Sequence, residues 1–361
     1  MTGYVGCSEI KDRLREMIAN ALPHTKLKSR AKLAEEFGSN KTTVDRAISE
    51  LIGEGVLYAK DKSGTYVSEL ADRKSVAGSR PTEAWAVLIP NITDDTYPGI
   101  FRGIEDVALA NGKYVMLCNT DNDEKMQNQY ITKLLGTMIE GLIIIPAIWG
   151  DGSVKSFWTL RQHKIPFVLC NRDIYSLNAP CVKSNNFYGG YLATKHLIEN
   201  GCKNIAYISG PVYVSSSERY QGYLAALLEF GIAPQERYVV CDENGELLHR
   251  GYELTRLLLT RSPEIDGIFC FNDSMAVNAL TACGDMGRSV GNDIAVIGYD
   301  NTNVCEQLPV KLTSVDFQNY KIGEAAANYL LAMLGNSTNA MNKKTVLQPQ
   351  LVIRQSCKLV R

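Results

Sequence analysis

Residues 86–94 read AVLIPNITD, a continuous apolar run that ends in polar side chains. Seven later segments contain a similar short apolar run, and amphipathic helical stretches separate them. They begin at Tyr114, Gly141, Phe167, Ile205, Tyr238, Gly267 and Ile294. Continuous apolar runs are typical of parallel strands that helices cover on both faces. About eight strands exceed one sheet of ordinary size. The sequence therefore predicts an α/β fold with two doubly wound parallel-sheet lobes.

Polar residues follow several of these runs. They are Asn91–Asp94, Asn119–Asp121, Asn171–Asp173, Asn272–Asp273 and Tyr299–Asn301. Ligands of open parallel sheets bind beyond the carboxyl ends of the strands, so two facing lobes would bring these residues to one cleft. Strand-to-helix turns also favour Asn and Asp as caps, and this simpler interpretation stays open for each segment alone. It explains the whole set less well, because Arg172 and Tyr299 are not capping residues.

The first 68 residues show helical spacing followed by a short hairpin. In the third predicted helix, Val44, Ile48 and Leu51 belong to one apolar stripe. Two strands follow, joined by the turn Lys60–Gly64. Over residues 26–46, six Lys and Arg face three acidic residues, although the whole chain has a net charge of −1. This local excess favours binding to nucleic-acid phosphates, and a solvated basic surface is the alternative.

A helix that enters the major groove of DNA needs short polar or cationic side chains on its exposed face. The third helix offers four such residues, and the hairpin tip lets the backbone approach DNA closely. The predicted contacts are Lys41, Thr42, Thr43, Arg46, Lys62, Ser63, Gly64 and Thr65.

Residues 10–68 resemble the winged helix-turn-helix of the GntR family. The resemblance is carried by Ser29-Arg30, by LAEEFG at 33–38, by Thr42-Thr43-Val44 and by GTYV at 64–67. It implies that Ser29, Arg30, the start of the third helix and the wing glycine contact DNA. The family usually has Arg, a basic residue and Gly where this chain has Lys41, Asp45 and Lys62. A carboxylate at position 45 would repel a nearby phosphate.

Residues 84–361 resemble the effector-binding part of LacI/GalR regulators and the periplasmic sugar-binding proteins. Among the motifs are GLIIIP at 141–146, FNDSMA at 271–276 and VIGYD at 296–300. The fusion to a GntR-type winged helix resembles the arabinose-repressor branch of regulators. The resemblance implies a transcription regulator whose effector lies between two lobes. The effector-binding residues that it implies are Asp94, Tyr97, Arg172, Arg219, Asn272, Asp300 and Phe317.

The chemistry of these residues favours a sugar as the effector. Sugar hydroxyls both donate and accept hydrogen bonds, which suits a set of Arg, Asn and carboxylate side chains. Arg172 and Arg219 equally suit a phosphate or carboxylate, so a sugar phosphate stays an alternative, as does a nucleobase. We expect operator double-stranded DNA and a second copy of the chain as partners. Closure of the lobes over the effector would then shift the affinity for DNA.

These patterns predict three regions. They are a winged helix-turn-helix DNA-binding domain at 1–68, a linker at 69–83 and an effector-binding and dimerisation domain at 84–361. The last region is predicted to comprise a first lobe at about 84–182 plus 312–334 and a second lobe at about 183–311 plus 335–361.

Composition argues against other classes of protein. Ten Cys without a CxxC pair and four scattered His predict no disulfide framework, no metal and no cofactor. The chain lacks a Gly-rich nucleotide-binding motif and a serine-nucleophile elbow, so we do not expect an enzyme; Cys170 near His163 is the weak exception. No secretion signal or membrane-length apolar run is present, which predicts a soluble cytoplasmic protein rather than a transporter's solute-binding protein.

Overall fold

The computed structural model describes residues 6–19, 21–22, 24–53, 55–61, 63–68, 83–147, 154–210, 214–242, 247–335 and 343–357. The chain divides into two compact units, Met1–Pro81 and Thr82–Arg361. Residues 69–82 of the predicted linker lie outside the described residues.

The first unit is a three-helix domain with a two-stranded wing. Its elements are α1 (Cys7–Ala19), α2 (Arg30–Glu36), α3 (Lys41–Gly53), β1 (Leu57–Lys60) and β2 (Gly64–Val67), and the two strands pair antiparallel. Asn40 starts α3, because its Oδ1 accepts the backbone N–H of Thr43 at 2.7 Å. Leu14, Leu33 and Ile48 meet in the buried core. The predicted apolar stripe of the third helix therefore faces this core.

The second unit contains two six-stranded sheets. The first sheet consists, from edge to edge, of β4 (Tyr114–Asn119), β3 (Ala84–Ile89), β5 (Gly141–Ile144), β6 (Phe167–Cys170), β7 (Cys181–Ser184) and β13 (Lys344–Leu347). The second consists of β9 (Val239–Cys241), β8 (Ile205–Ser209), β10 (Gly267–Cys270), β11 (Ala295–Tyr299), β12 (Thr313–Asp316) and β14 (Gln350–Val352). All neighbouring strands are parallel except β12 and β14.

Helices cover the faces of both sheets. Those of the first lobe are α4 (Thr96–Ala110), α5 (Glu124–Leu135), α6 (Lys155–Gln162) and α12 (Asn319–Leu334). Those of the second lobe are α7 (Asn186–Glu199), α8 (Val214–Glu229), α9 (Leu247–Arg261), α10 (Asp273–Asp285) and α11 (Val304–Gln307). Short 3-10 helices lie at Tyr175–Leu177 and Glu236–Tyr238. The predicted fold of a winged helix followed by two doubly wound lobes is confirmed.

The two lobes share one topology. In each, the first strand of the chain lies between the second and the third, and the later strands continue outward from the third. The point where the strand order reverses is where ligands bind in such sheets. In the first lobe this point lies between β3 and β5, and in the second between β8 and β10. The fold thus predicts one crevice in each lobe.

The predicted lobe boundaries need correction at two strands. We predicted residues 312–334 in the first lobe, but β12 continues the parallel ladder of the second sheet beside β11. We predicted residues 335–361 in the second lobe, but β13 pairs with β7 of the first sheet. The backbone ladder decides membership, so the chain crosses between lobes after β7, after β12 and between β13 and β14.

One helix pair in each lobe is in close backbone contact through glycines. A Cβ atom on Gly103 of α4 would lie only 2.2 Å from Tyr320 O, and one on Gly323 of α12 would lie only 2.0 Å from Ile100 O. Glycine at these two positions therefore lets α4 pack closely against α12. In the second lobe, a Cβ atom on Gly222 would lie 2.0 Å from the carbonyl oxygen of Phe187 in α7. These contacts fix α8 at a short distance from α7.

Candidate functional site

The exposed surface of α3 carries three of the predicted DNA contacts, Lys41, Thr42 and Arg46. Thr43 is half-buried, and its hydroxyl donates to Asn40 Oδ1 at 2.8 Å. It therefore helps to cap α3 at the end that would enter the groove.

The two other predicted contacts of this region lie at the start of α2. Ser29 is the N-cap of that helix, and its side-chain oxygen accepts the backbone N–H of Lys32 at 3.4 Å. Arg30 forms an ion pair with Asp45 of α3. Arg46 pairs with Glu50 of the same helix at 3.3 Å. Both arginines of the predicted DNA surface thus lie beside carboxylates.

The tip of the wing differs from the prediction in one side chain. Gly64 has a φ of +127°, which favours glycine, and Ser63 Oγ lies 2.5 Å from the Tyr66 hydroxyl. Thr65 is buried, and its carbonyl oxygen accepts the backbone N–H of Leu27 at 2.9 Å, so this residue is not available at the surface. Lys62 lies outside the described residues. The wing thus offers backbone groups and Ser63 to a DNA partner.

A cavity of about 280 Å³ lies between the lobes of the second unit, at the carboxyl ends of the strands. Small-molecule sites commonly enclose about 300–1,000 Å³, so its size suits a small ligand. Seven of its lining residues are those predicted for the effector: Asp94, Tyr97, Arg172, Arg219, Asn272, Asp300 and Phe317. The fold therefore brings together side chains that are more than 200 positions apart in the sequence.

Arg219 and Asp300 are the two buried charged residues of the cavity. The guanidinium carbon of Arg219 lies 3.4 Å from the centre of the Tyr299 ring and 4.6 Å from that of Phe271. Its Nε donates to Asn186 Oδ1 at 3.2 Å, and a terminal nitrogen lies 3.6 Å from Asp300 Oδ1. The ring faces and the fixed acceptors hold the cation in a single orientation.

Asp300 joins the two lobes. It follows β11 with a φ of +107°, and its carboxylate accepts the hydroxyl of Thr96 from the first lobe at 3.3 Å. Burial raises the pKa of Asp300 well above its ordinary value. The nearby Arg219 charge acts in the opposite direction, but burial prevails. The enclosed position of Asp300 thus opposes its ionisation.

Arg172 organises the wall that the first lobe contributes. One terminal nitrogen donates to Asn122 Oδ1 at 2.7 Å and to Pro146 O at 2.9 Å. The other terminal nitrogen donates to the Tyr97 hydroxyl at 2.7 Å. Protein acceptors therefore already stabilise this cation at the cavity wall.

Two lining residues also accept backbone hydrogen bonds at the start of a helix. Asn272 is the N-cap of α10, and its Oδ1 accepts the backbone N–H of Met275 at 2.9 Å. Asp94 precedes Asp95, the N-cap of α4, and its Oδ1 accepts the backbone N–H of Thr96 at 2.9 Å. The simpler interpretation of strand-end residues as caps therefore holds for Asn272, which lines the cavity as well. The two roles are compatible because a carbonyl or carboxylate oxygen has two lone pairs.

Several lining residues are not among the polar residues that follow the predicted strands; they include Asn186, Ser215 and Phe271. Asn186 starts α7 after β7, a short strand with the polar residues Lys183 and Ser184. Phe271 belongs to an apolar run, and its position at the mouth of the cavity follows only from where β10 ends.

None of the ten cysteines forms a disulfide, and burial raises the pKa of Cys170 well above its ordinary value and that of Cys181 to about 12. The described part of the chain contains no cluster of three or more His, Cys, Asp or Glu able to hold a metal ion. Among the same residues, no helix combines the length and apolarity needed to cross a membrane.

Two family models match the chain. Residues 7–67 match bacterial regulatory proteins of the gntR family, and residues 194–357 match the periplasmic binding protein-like domain. The matches correspond to the first unit and to the second lobe with its crossovers. They agree with the folds that the structure shows for these regions.

The chain is similar to known regulators over most of its length. It is 26% identical to an arabinose metabolism transcriptional repressor of Halalkalibacterium halodurans, covering 96% of this chain and 94% of the relative. It is 32% identical to the ribose operon repressor of the same organism, covering 69% of this chain and 72% of the relative. Among solved structures, the transcriptional regulator CelR in complex with cellobiose is 26% identical, with a TM-score of 0.69 over 91% of this chain and 100% of that one.

These relatives are transcription regulators, which confirms the expectation that the chain is not an enzyme. The chain therefore belongs to the DNA-binding transcriptional regulators that join a gntR-family winged helix to a periplasmic binding protein-like effector domain, in the branch of the arabinose metabolism repressors.

Proposed function

We propose that this regulator is a repressor that binds a sugar between its two lobes, and that the bound sugar changes its affinity for operator DNA. The observation that carries the proposal is the cavity itself, which combines two arginines, three carboxylates and amide side chains with aromatic rings. A sugar offers hydroxyls to the polar groups and an apolar ring face to Tyr97 or Phe317.

The names of similar proteins support a sugar over other polar ligands. They refer to arabinose metabolism, to a ribose operon and to a complex with cellobiose. A sugar phosphate is the second candidate, because Arg172 and Arg219 both line the cavity. The contacts of these arginines favour the neutral sugar, since Arg172 donates to three protein acceptors and Arg219 lies beside Asp300. A nucleobase remains a third candidate, without a contact that favours it.

We further propose that the regulator acts as a homodimer in the cytoplasm, where operator DNA is found. An apolar surface on α4 and the edge strand β4 supports the dimer. Leu109, Tyr114 and Met116 there are 71%, 75% and 46% exposed. Apolar patches of this kind mark protein interfaces. Two winged helices on one dimer would read two half-sites of an operator.

A two-stage experiment tests this function. Thermal shift of the full chain against a panel of sugars, sugar phosphates and nucleobases identifies ligands, since a specific ligand stabilises with the logarithm of its concentration. Fluorescence anisotropy then measures the affinity for DNA of the promoter region with and without the best ligand. We expect a change of about 5- to 150-fold, the usual range of allosteric coupling. Binding of a sugar with no effect on DNA affinity would contradict the proposed control.

A further inference from the structure

The outer face of α3 carries an acidic side chain where DNA would bind. Lys41, Thr42, Arg46 and Ser49 are exposed on this helix, and the half-exposed Asp45 lies among them. Residues four apart are neighbours on a helix surface, so Asp45 is adjacent to both Lys41 and Ser49. A carboxylate in this position would repel a nearby phosphate of a bound duplex. Its presence therefore needs a compensating interaction or a role in DNA binding.

The second acid of α3 has a structural role that separates it from Asp45. Glu50 accepts from Lys11 of α1 at 2.9 Å and pairs with Arg46 at 3.3 Å. Hydrogen bonds from these two cations lower the pKa of Glu50. Glu50 thus ties α3 to α1 through Lys11, whereas Asp45 pairs with Arg30 at the start of α2.

The partner of Asp45 is Arg30, the first residue of α2. The carboxylate oxygen Oδ1 is in ion-pair contact with Arg30 Nε, and the two side chains are 44% and 42% exposed. Nε itself is buried and makes no aligned hydrogen bond, so the exposure of Arg30 falls on its other atoms. The contact bridges the start of α2 to the outer face of α3. An exposed ion pair contributes little to stability, which leaves positioning as its main effect.

We propose that Asp45 and Arg30 act together as a base-reading pair in the DNA major groove. Asp45 orients the guanidinium so that its terminal N–H groups donate to O6 and N7 of a guanine, the commonest specific contact of arginine. A carboxylate has about four acceptor sites, so the ion pair does not saturate it. Asp45 then accepts from the N4 amino group of a cytosine on the same or the adjacent base pair. The pair thus gives a carboxylate that would otherwise only repel phosphates a role in sequence specificity.

This inference rests on the proposed DNA binding and is tested by selection from a randomised duplex library. The full-length wild type, Asp45→Asn, Arg30→Ala and the double variant are compared, with Glu9→Gln as the control. Glu9 is an exposed acid of α1 that pairs with Arg13 of its own helix. Asn keeps the size of Asp, and circular dichroism verifies that each variant is folded.

We expect the wild type to select a sequence and Asp45→Asn to lose at least about fivefold of its preference at one or two adjacent G·C pairs. Arg30→Ala should flatten the same positions, and the double variant should lose no more than Arg30→Ala alone. Glu9→Gln should keep the wild-type preference at every position.

Two outcomes would overturn the pair while leaving the DNA-binding function intact. In one, Asp45→Asn keeps the wild-type preference and binds every duplex more tightly with a steeper salt dependence, as expected for a carboxylate that only repels phosphates. In the other, the two single variants change different base pairs. A wild type that selects no sequence at all would contradict the proposed function together with this inference.

Discussion

At the scale of single residues, Arg219 contacts several of the groups that line the cavity. It is buried between Tyr299 and Phe271, and it lies beside Asp300, which contacts Thr96 of the other lobe. A buried cation with one carboxylate beside it is sensitive to any added hydroxyl or anion. In the proposed function, Arg219 would link the identity of the ligand to the closure of the lobes.

Replacement of Arg219 with Ala should weaken sugar binding by about 2–4 kcal/mol, because it leaves Asp300 and the ligand hydroxyls without their donor. Isothermal titration calorimetry measures the loss. The control is Arg237→Ala, which removes an exposed arginine paired with Glu264. Equal affinities of the wild type and Arg219→Ala would remove this residue from the binding site.

Sugar binding should release protons from Asp300. The pKa of Asp300 is raised, so the contribution of this group to folding stability is lost as pH rises through the raised pKa. Hydroxyls that donate to the carboxylate favour its ionised form and lower the pKa. Affinity should thus increase with pH between the ordinary and the raised value.

Calorimetry in two buffers of different ionisation enthalpy detects the released protons. We expect the observed binding enthalpy to differ between the buffers for the wild type and to coincide for Asp300→Asn. Coincident enthalpies for the wild type throughout this pH range would show that the sugar does not ionise Asp300.

Some of the residues that line the cavity could be predicted from the spacing of the sequence and others could not, for a physical reason. Arg172, Asn272 and Asp300 follow apolar strands, and the ends of parallel strands meet at one edge of a sheet. Arg219 lies inside α8, where only the resemblance to known regulators indicated it. Its place in the cavity depends on how closely α8 packs on α7, and the spacing of residues along one helix contains no information about that distance.

At the scale of elements, the glycine contacts set that distance. A Cβ atom on Gly190 of α7 would lie 2.1 Å from Arg219 O, and one on Gly222 of α8 would lie 2.0 Å from Phe187 O. Both distances are too short for any side chain. The close approach of the two helices is what carries Arg219 into the cavity.

Gly222→Ala should destabilise the protein by about 1–3 kcal/mol, because the new methyl group forces the helices apart. The control is Gly284→Ala in α10, where a Cβ atom would meet nothing within 4 Å. It should stabilise the helix by about 0.5–1 kcal/mol. Urea unfolding curves measure both changes, and unchanged stability of Gly222→Ala would refute the role of this contact.

The elements that sequence missed are those near the crossovers. The runs that predicted β3, β5 and β10 are long and apolar, as buried strands require. The crossover strands β7 and β13 contain lysines, and β13 and β14 contribute no fully buried residue. Pairing with a distant strand, rather than local pattern, gives these segments their extended form. The lobe boundaries were therefore wrong at β12 and β13.

At the scale of the whole molecule, the net charge of −1 does not reveal that the two units carry different surfaces. The first unit carries the basic surface of α2 and α3, while the second holds the cavity between its lobes. The sequence predicted both units, because a winged helix and a doubly wound sheet have different apolar periods. Reading of two half-sites of an operator would require the proposed second copy of the chain.

Tyr114→Asp should dissociate the proposed homodimer, since it places a charge in the centre of the exposed apolar surface of β4. Sedimentation equilibrium should show a lighter species, and DNA affinity should fall at least about tenfold as one half-site is lost. Leu228→Asp, at an exposed apolar position on α8, serves as the control. A dimeric Tyr114→Asp would place the interface elsewhere.

The three crossovers between the lobes are neighbours, as a backbone hydrogen bond of 2.9 Å from Asn185 to Leu347 and a contact between Gln318 and Gln348 show. Three adjacent connections permit bending about the line that joins them and resist sliding or twisting. Chemically different ligands must then produce the same bending movement of the lobes. They can differ only in the fraction of molecules that they keep in the closed state. Weak and strong agonists of this regulator should therefore differ in dose and occupancy, and not in the kind of signal that reaches the promoter.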